Sequence, residues 1–261
     1  MKTRPILILK TGEALPPVKA LYGDFEDWIS KGLGCDVSDV EVANVYQGLD
    51  VALALPKARE IGGVVITGSP AMVTERSDWS EASASWVGAL VRENSVPVLG
   101  LCYGHQLLAH ALGGEVGTNP NGREMGTVEV EFLDARTDLA SGAAGVGDAG
   151  VPDVLRTLFA PGVYPGHMSH VESVLRLPPG ARVLARTALD PHSVIEFGPR
   201  QWGVQFHPEF DRAILKRYVE ARREILASEG LDPDAMIEEA EETPGLTRVL
   251  ARFADLAADH V

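Results

Sequence analysis

The N-terminal half of the chain alternates short apolar segments with longer amphipathic ones. The apolar segments have four or five residues each and many β-branched side chains, which is typical of buried parallel strands. They lie at residues 5–9, 41–45, 63–66 and 97–101. Residues 77–94 carry apolar side chains at helical spacing after a Ser-Asp start, which predicts a helix. This alternation predicts an α/β fold with helices on both faces of one sheet.

The pattern changes after residue 126, where strand-like segments follow each other more closely. These segments are residues 127–133, 182–185, 194–197 and 202–206, with Gly/Pro turns between them. They predict an antiparallel addition to the sheet. Residues 140–150 are rich in Gly and Ala without periodicity, which predicts an exposed loop. Residues 211–227 have helical apolar spacing at Ile214, Leu215, Tyr218 and Ile225, and we expect them to pack on the sheet.

The C-terminal segment has a composition of its own. Residues 232–242 are strongly acidic, and Pro244-Gly245 interrupts the chain. Five apolar side chains then mark one face of a helix: Leu246, Val249, Leu250, Phe253 and Leu256. Because surface helices usually bury their apolar stripe within their own chain, we expect this helix to dock on its own domain. The sequence thus predicts a catalytic domain at 1–228 and an acidic helical extension at 229–261.

Composition narrows the class of protein. With 261 residues, 45% of them hydrophobic, the chain can bury a full core. There are 23 basic and 37 acidic residues, for a net charge of −14, which opposes nucleic acid and anionic membranes as partners. The apolar segment at 5–9 is too short for a signal peptide and no run is long enough to cross a bilayer, so we expect a cytoplasmic protein. The two cysteines, Cys35 and Cys102, are too few for a disulfide framework.

The strongest local motif is the G-x-C-x-G sequence at residues 100–104, between a predicted strand and a helical segment. In a nucleophile elbow, glycines on both sides of the nucleophile permit a sharp strand-to-helix turn that exposes its side chain at the carboxyl edge of the sheet. A thiol at a helix N-terminus is also favoured as the thiolate, because unpaired N–H groups carry partial positive charge. Buried cysteines are often inert, but this context favours Cys102 as a nucleophile. Cys35 lacks such a context.

A second motif supplies a base and an acid. His207, Pro208 and Glu209 end a predicted strand, and Pro208 restrains His207 to an extended conformation. Residues two apart in extended chain share a face, so Glu209 can orient the imidazole of His207. Together with Cys102 they predict a Cys-His-Glu triad.

These motifs resemble the class I glutamine amidotransferases, most closely the glutaminase domain of GMP synthase and its stand-alone relatives. The resemblance covers residues 62–210 in four ordered blocks: 63–70, 97–106, 168–170 and 202–209. It implies the flavodoxin-like fold of that family, a doubly wound, mostly parallel open sheet with antiparallel additions and a helical C-terminal tail. It also implies hydrolysis of the glutamine amide, with no metal or organic cofactor.

The resemblance further implies roles for individual residues. Cys102 would be the nucleophile, His207 the base and then acid, and Glu209 the orienting carboxylate. Backbone N–H groups of Gly68 and Tyr103 would form an oxyanion hole, and the substrate would lie against Gln106 and a loop at Ser169-His170. Two departures adjoin the expected substrate site: Val171-Glu172 replaces the usual Gly-Asp, and Thr67 replaces a common glycine. His167 and His170 have H-x-x-H spacing but no third ligand accompanies them, so no metal site is predicted.

Three functions remain open. The first is a glutaminase that passes ammonia to a synthetase, as family members commonly do. No G-x-x-x-x-G-K-[ST] loop occurs in this chain, so we expect the synthetase to be a separate ATP-dependent partner. The second is a stand-alone γ-glutamyl peptidase or hydrolase, which the residues at 171 and 172 would suit. The third is a non-catalytic regulatory member of the fold, which the intact triad disfavours.

Overall fold

The computed structural model describes residues 4–48, 51–134 and 160–259. The helices are α1 (Pro16–Tyr22), α2 (Phe25–Leu33), α3 (Val51–Ala54), α4 (Asp78–Arg92), α5 (Tyr103–Ala111), α6 (Arg212–Ala221), α7 (Arg223–Ser228), α8 (Pro233–Glu239) and α9 (Pro244–Asp259). The strands are β1 (Ile6–Lys10), β2 (Val40–Asn44), β3 (Gly63–Ile66), β4 (Val98–Leu101), β5 (Glu115–Thr118), β6 (Glu124–Phe132), β7 (Gly162–His170), β8 (Glu172–Arg176), β9 (Arg182–Arg186), β10 (Val194–Gly198) and β11 (Gln201–Val204).

Nine of these strands form one mixed sheet in the order β2-β1-β3-β4-β11-β10-β9-β6-β7. The first five are parallel to one another, and the rest of the order is antiparallel. Strands β5 and β8 form a separate antiparallel pair. The carboxyl ends of β1, β3, β4 and β11 therefore meet at one edge, which is where open α/β sheets bind their ligands.

Alternating side chains of the parallel strands enter two different cores. Ile6 and Ile8 of β1 pack with α2, α6 and α9 on one face, whereas Leu7 and Leu9 pack with α4 and α5 on the other. Successive strand residues point to opposite faces, so a strand buried on both sides is continuously apolar. The predicted flavodoxin-like, doubly covered sheet is confirmed.

Several predicted elements differ from the observed ones. The sequence pattern places the segment at 202–206 in the antiparallel addition, but β11 pairs in parallel with β4 and completes the parallel set. Ser169 and His170 are the last residues of β7 rather than a loop. The helix predicted at 211–227 is divided into α6 and α7 at Arg222, and Ile225 is 43% exposed instead of packed on the sheet. The loop predicted at 140–150 lies outside the described residues.

The C-terminal segment packs into the main body of the domain. Leu246, Val249, Leu250 and Phe253 of α9 are all buried, in the core that also contains α2. A Cβ placed on Gly32 of α2 would lie 2.3 Å from Leu250 Cδ1, so the two helices make close contact. The predicted division between residues 228 and 229 stays a prediction. Among the described helices, none combines the length and apolar character needed to cross a membrane.

Candidate active site

Cys102 sits on a sharp turn between β4 and α5. Its backbone has φ 49° and ψ −99°, a conformation that costs a non-glycine residue about 1–3 kcal/mol. The flanking glycines make the turn possible: a Cβ on Gly100 would lie 2.4 Å from the Gly104 carbonyl oxygen, and one on Gly104 would lie 2.6 Å from that of Ile66. These are backbone contacts that cannot relax, so the sequence motif forms the elbow for steric reasons.

The Cys102 sulfur is surrounded by polar groups from three segments. Gln205 Nε2 lies 3.4 Å from Sγ, and the Ser169 carbonyl oxygen at the end of β7 lies 4.0 Å from it. The sulfur also lies close enough to the His207 imidazole to raise the pKa of that imidazole. Only 6% of the residue is exposed, so these contacts set the environment of the thiol.

His207 and Glu209 form a buried charge-assisted pair. His207 Nδ1 lies 2.7 Å from Glu209 Oε1, and both side chains are withdrawn from solvent. Burial alone would lower the pKa of His207, but the Glu209 carboxylate and the Cys102 sulfur outweigh it and raise the pKa to about 10. A carboxylate only accepts hydrogen bonds, so Nδ1 carries a proton and Nε2 is directed to other partners. The arrangement favours the protonated, imidazolium form of His207.

Aromatic rings hold the imidazole in place. Phe210 stacks on His207 with ring centroids 4.1 Å apart, and Phe25 lies parallel to it at 6.4 Å. Phe25 is the first residue of α2, and Asp24 caps that helix by accepting from the Phe25 amide at 2.9 Å. Lys10 Nζ pairs with the Asp24 carboxylate at 2.7 Å. The start of α2, and with it Phe25, is thereby fixed at the sheet edge.

Gly68 lies against the His207 imidazole, where a Cβ would meet His207 Cε1 at 3.0 Å. Two hydroxyls fix the peptides on either side of it. Thr11 Oγ1 donates to the Thr67 carbonyl at 3.1 Å, and Thr67 Oγ1 donates to the Gly68 carbonyl at 2.8 Å. In a trans peptide the N–H points away from the C=O, so the bond to the Thr67 carbonyl fixes the direction of the Gly68 N–H.

Tyr103 is the first residue of α5, directly after the nucleophile. The first amide groups of a helix have no acceptor within it, so the Tyr103 N–H is available beside the sulfur. Its side chain points away, with the ring stacked on Trp79 at 5.7 Å and the hydroxyl 2.6 Å from Ser80 Oγ. Burial raises the pKa of this phenol. The backbone of Tyr103, rather than its hydroxyl, therefore faces the candidate site.

The residues predicted to contact substrate are mostly engaged with one another. Gln106 Nε2 donates to the Glu172 carbonyl at 2.7 Å and to Gln205 Oε1 at 3.0 Å. His170 Nδ1 lies 2.9 Å from the same Glu172 carbonyl, and its Nε2 lies 3.1 Å from Glu124 Oε2. The Glu172 carboxylate accepts from the Val73 amide at 2.9 Å and from the Thr74 hydroxyl. Of the predicted contacts, only Ser169 adjoins the sulfur directly.

The H-x-x-H pair is split between two environments. His167 Nε2 lies 2.9 Å from the Glu241 carbonyl of the C-terminal segment, whereas His170 pairs with Glu124. Within the described ranges, no group of three or more His, Cys, Asp or Glu side chains could hold a metal ion.

The structure therefore brings Cys102, Ser169 and His207 together. Glu209 contacts Nδ1 of the imidazole, and Gly68 lies next to its Cε1. Sequence reasoning missed Gln205, Phe25 and Phe210. Gln205 stands two residues before His207 in the extended segment that follows β11. Its side chain is therefore expected on the same face as that of His207, and Phe206 on the opposite face. That spacing was the one available signal.

Comparisons with known proteins agree with the geometry. The model of the class I glutamine amidotransferase family matches residues 21–219. The GMP synthase [glutamine-hydrolyzing] of Aeropyrum pernix is 39% identical over 173 residues, which are 66% of this chain and 27% of that protein. The corresponding enzyme of Neisseria meningitidis serogroup B is 32% identical over 207 residues, 77% of this chain and 35% of that protein. The chain thus spans about a third of the length of these curated relatives.

Solved structures share the fold over nearly the whole chain. A glutamine amidotransferase from Thermotoga maritima superposes with a TM-score of 0.71 at 20% identity, covering 98% of this chain and 99% of that one. A glutamine amido transferase from Methylobacillus flagellatus gives 0.66 at 20% identity, covering 99% and 94%.

Proposed function

Because this chain belongs to the class I glutamine amidotransferase family, we propose that Cys102, His207 and Glu209 hydrolyse the side-chain amide of glutamine through a cysteine thioester. The observation that carries the proposal is the environment of Cys102: an elbow cysteine whose sulfur meets an imidazole that is itself paired with a carboxylate at 2.7 Å. This is the nucleophile–base–orienter order of a catalytic triad.

In acylation, the Cys102 thiolate attacks the γ-carbonyl carbon and the π electrons move to the oxygen. His207 gives its proton to the leaving nitrogen, the C–N bond breaks, and ammonia departs from the γ-glutamyl thioester. Forming the thioester removes the charge on sulfur that helps to raise the pKa of His207, so the imidazole can stay neutral after acylation and is available to accept a proton. It takes a proton from water, which attacks the thioester and releases glutamate and the thiolate.

The amides of Gly68 and Tyr103 are the proposed oxyanion hole. The proposal is supported by the position of Tyr103 at the start of α5 and by the threonine contact that sets the direction of the Gly68 N–H. Loss of one such donor typically costs about 2.7–4 kcal/mol of transition-state stabilisation. Oriented amides at the sheet edge would therefore contribute much of the catalysis.

Glutamine would bind with its α-amino and carboxylate groups along the end of β7, at Ser169 and His170. The Ser169 carbonyl is 4.0 Å from the Cys102 sulfur, which supports a substrate passing over this strand. Gln106 would border the pocket as part of its wall, because its amide nitrogen already serves Gln205 and Glu172.

Ammonia would then pass to a separate ATP-dependent synthetase. The GMP synthases it resembles match this chain over only 27% and 35% of their own length, and one structural neighbour, from Thermoplasma acidophilum, carries the name of a GMP synthase component. With a net charge of −14, neither nucleic acid nor an anionic membrane is a proposed partner.

A γ-glutamyl conjugate is the second candidate substrate. Glu172 stands where the family commonly has aspartate, and its carboxylate is occupied by the 73–74 turn. One acceptor site on each oxygen is therefore already used within the protein, and this favours a substrate recognised in another way.

The test is release of ammonia and glutamate from glutamine, beside a panel of γ-glutamyl peptides. Wild type is compared with Cys102→Ala and with Cys35→Ala, a matched loss of the other, half-buried thiol. We expect turnover of glutamine by wild type and Cys35→Ala alone. Turnover of peptides only would replace glutaminase by peptidase, and equal turnover by Cys102→Ala would refute both. Stoichiometric binding of a protein with no turnover in the complex would indicate a regulatory member instead.

A further inference from the structure

Gln205 is wholly buried next to the nucleophile. Its Nε2 lies 3.4 Å from the Cys102 sulfur, and its Oε1 accepts from Gln106 Nε2 at 3.0 Å. Gln106 Nε2 donates in turn to the main-chain carbonyl of Glu172 at 2.7 Å. These three groups, the two side-chain amides and the Glu172 carbonyl, form a continuous chain of hydrogen bonds that we call the carboxamide relay.

The relay fixes which end of each amide faces which neighbour. A main-chain carbonyl can only accept, so Gln106 must turn its NH₂ group toward Glu172. The second hydrogen of that NH₂ group points to Gln205, which must therefore accept it with its side-chain oxygen. Gln205 is left with its NH₂ group toward the sulfur. The orientation of a side-chain amide, which its shape alone does not decide, is here dictated by a backbone carbonyl at the far end of the relay.

A donor aimed at a sulfur favours the thiolate over the thiol. Hydrogen bonds to a charged group are stronger than those between neutral groups, and a bond made to the charged form stabilises that form. In acylation the charge leaves the sulfur, and it returns when the thioester is hydrolysed. A fixed donor therefore assists the thiolate both as nucleophile and as leaving group.

We propose that Gln205 is a catalytic residue that donates a hydrogen bond to the Cys102 thiolate, and that Gln106 is a positioning residue that orients it. The part that this bond plays in turnover rests on the proposed function, in which the sulfur is the nucleophile. The contact with the sulfur itself does not depend on the substrate.

The other groups that act on the sulfur are few among the described residues. His207 acts directly, with Glu209 behind it, and the partly buried Arg222 acts at longer range. The Ser169 carbonyl is an acceptor and can only take the thiol proton. His170, next to Ser169, faces Glu124 and the Glu172 carbonyl. Gln205 is thus the neutral side-chain donor in this set.

The experiment measures the rate at which iodoacetamide alkylates Cys102 as a function of pH, in a Cys35→Ala background. Gln205→Met removes the donor at similar side-chain length. Gln205→Glu keeps an acceptor for Gln106 but presents an anion to the sulfur. Gln201→Met is the matched control, because Gln201 is equally buried at the opposite end of β11 but donates to Asn94 and Val96 instead.

We expect the pH midpoint of alkylation to rise by about one to two pH units in Gln205→Met and to rise also in Gln205→Glu. Gln106→Met should cause a smaller rise, and Gln201→Met none. Wild-type midpoints in both Gln205 variants, each with a native thermal transition, would overturn the proposal, as would an equal rise in Gln201→Met. If Gln205→Met does not fold, Gln106→Met decides in its place, because it removes only the group that orients Gln205, and a wild-type midpoint there would overturn the proposal. Failure of the proposed function would appear separately, as wild type that is alkylated normally but releases no ammonia.

Discussion

The pair of His207 and Glu209 allows the sharpest test of the electrostatics of this site. In Glu209→Gln, the amide oxygen can still accept the Nδ1 proton across the 2.7 Å contact, but the negative charge is lost. Unit charges about 4 Å apart at an effective dielectric constant of about 20 interact by about 4 kcal/mol, which corresponds to a change in pKa of about 3. Burial lowers the pKa of His207, and in this variant the Glu209 charge would no longer offset that effect.

The assay is an NMR titration of the His207 Cε1–H resonance. It is done in a Cys102→Ser background, so that the imidazole titrates without the coupled thiol. We expect Glu209→Gln to lower the pKa of His207 by about 3 relative to that background. The matched control is Glu81→Gln, which removes the carboxylate 3.1 Å from His110 Nε2 in a more exposed pair.

The control should leave the His207 titration unchanged. A fall of less than about 1 in the pKa of His207 on Glu209→Gln would refute the reasoning, since it would mean that the carboxylate orients the imidazole without charging it. Equal changes in both variants would point to a general effect of lost acidic charge.

Three further predictions concern stability. Because the pKa of His207 is raised to about 10 from 6.5, its pairing stabilises the fold fully below about pH 6.5 and loses this effect as pH rises through 10; the stability gap between wild type and Glu209→Gln in urea melts should narrow over that window, and a constant gap would contradict it. Gly104→Ala should destabilise by about 1–3 kcal/mol, because its Cβ would lie 2.6 Å from the Ile66 carbonyl, whereas Gly245→Ala, whose nearest contact is 3.6 Å, should not. Phe253→Ala should lower the free energy of unfolding by about 3–5 kcal/mol in thermal melts, and Ile225→Ala, at a position that is 43% exposed, should lower it much less. A loss in Phe253→Ala as small as that in Ile225→Ala would show that α9 is not part of the cooperative unit.

The parts of the fold that could be predicted from sequence are those with a local physical cause. Strands β1, β3 and β4 are fully buried on both faces, so their sequences are continuously apolar except for Lys10, which ends β1. The elbow is equally local, since Gly100 and Gly104 are each required by contacts that a Cβ would violate.

Strand β7 shows why other parts could not be predicted. It contains Gly162, Pro165 and Gly166, residues that usually mark turns. Among the described strands it lies at the end of the sheet order, and proline is tolerated in edge strands because one side of such a strand makes no ladder bonds. Its pairing with β6 is a long-range contact that the local pattern does not contain. The interpretation of 169–170 as a loop was wrong for this reason.

The residues of the candidate site also fall into those that could be predicted from sequence and those that could not. Cys102, His207 and Glu209 stand in motifs whose spacing implies their relation. Phe25 and Gln205 reach the site from opposite ends of the chain, and their contacts with His207 and Cys102 depend on the order of the strands. Neither carries a titratable group, so nothing in composition or charge distinguishes them from ordinary core residues.

The structure explains why threonine occupies position 67. In sequence it is a departure from the family pattern beside the expected oxyanion loop. In the structure it is wholly buried, accepts from the Thr11 amide at 3.0 Å and donates to the Gly68 carbonyl. A glycine in its place could provide neither contact, and the Gly68 carbonyl would keep only the Thr11 hydroxyl as a donor, at 3.1 Å. The loop next to His207 is therefore oriented by the residues that directly follow β1 and β3.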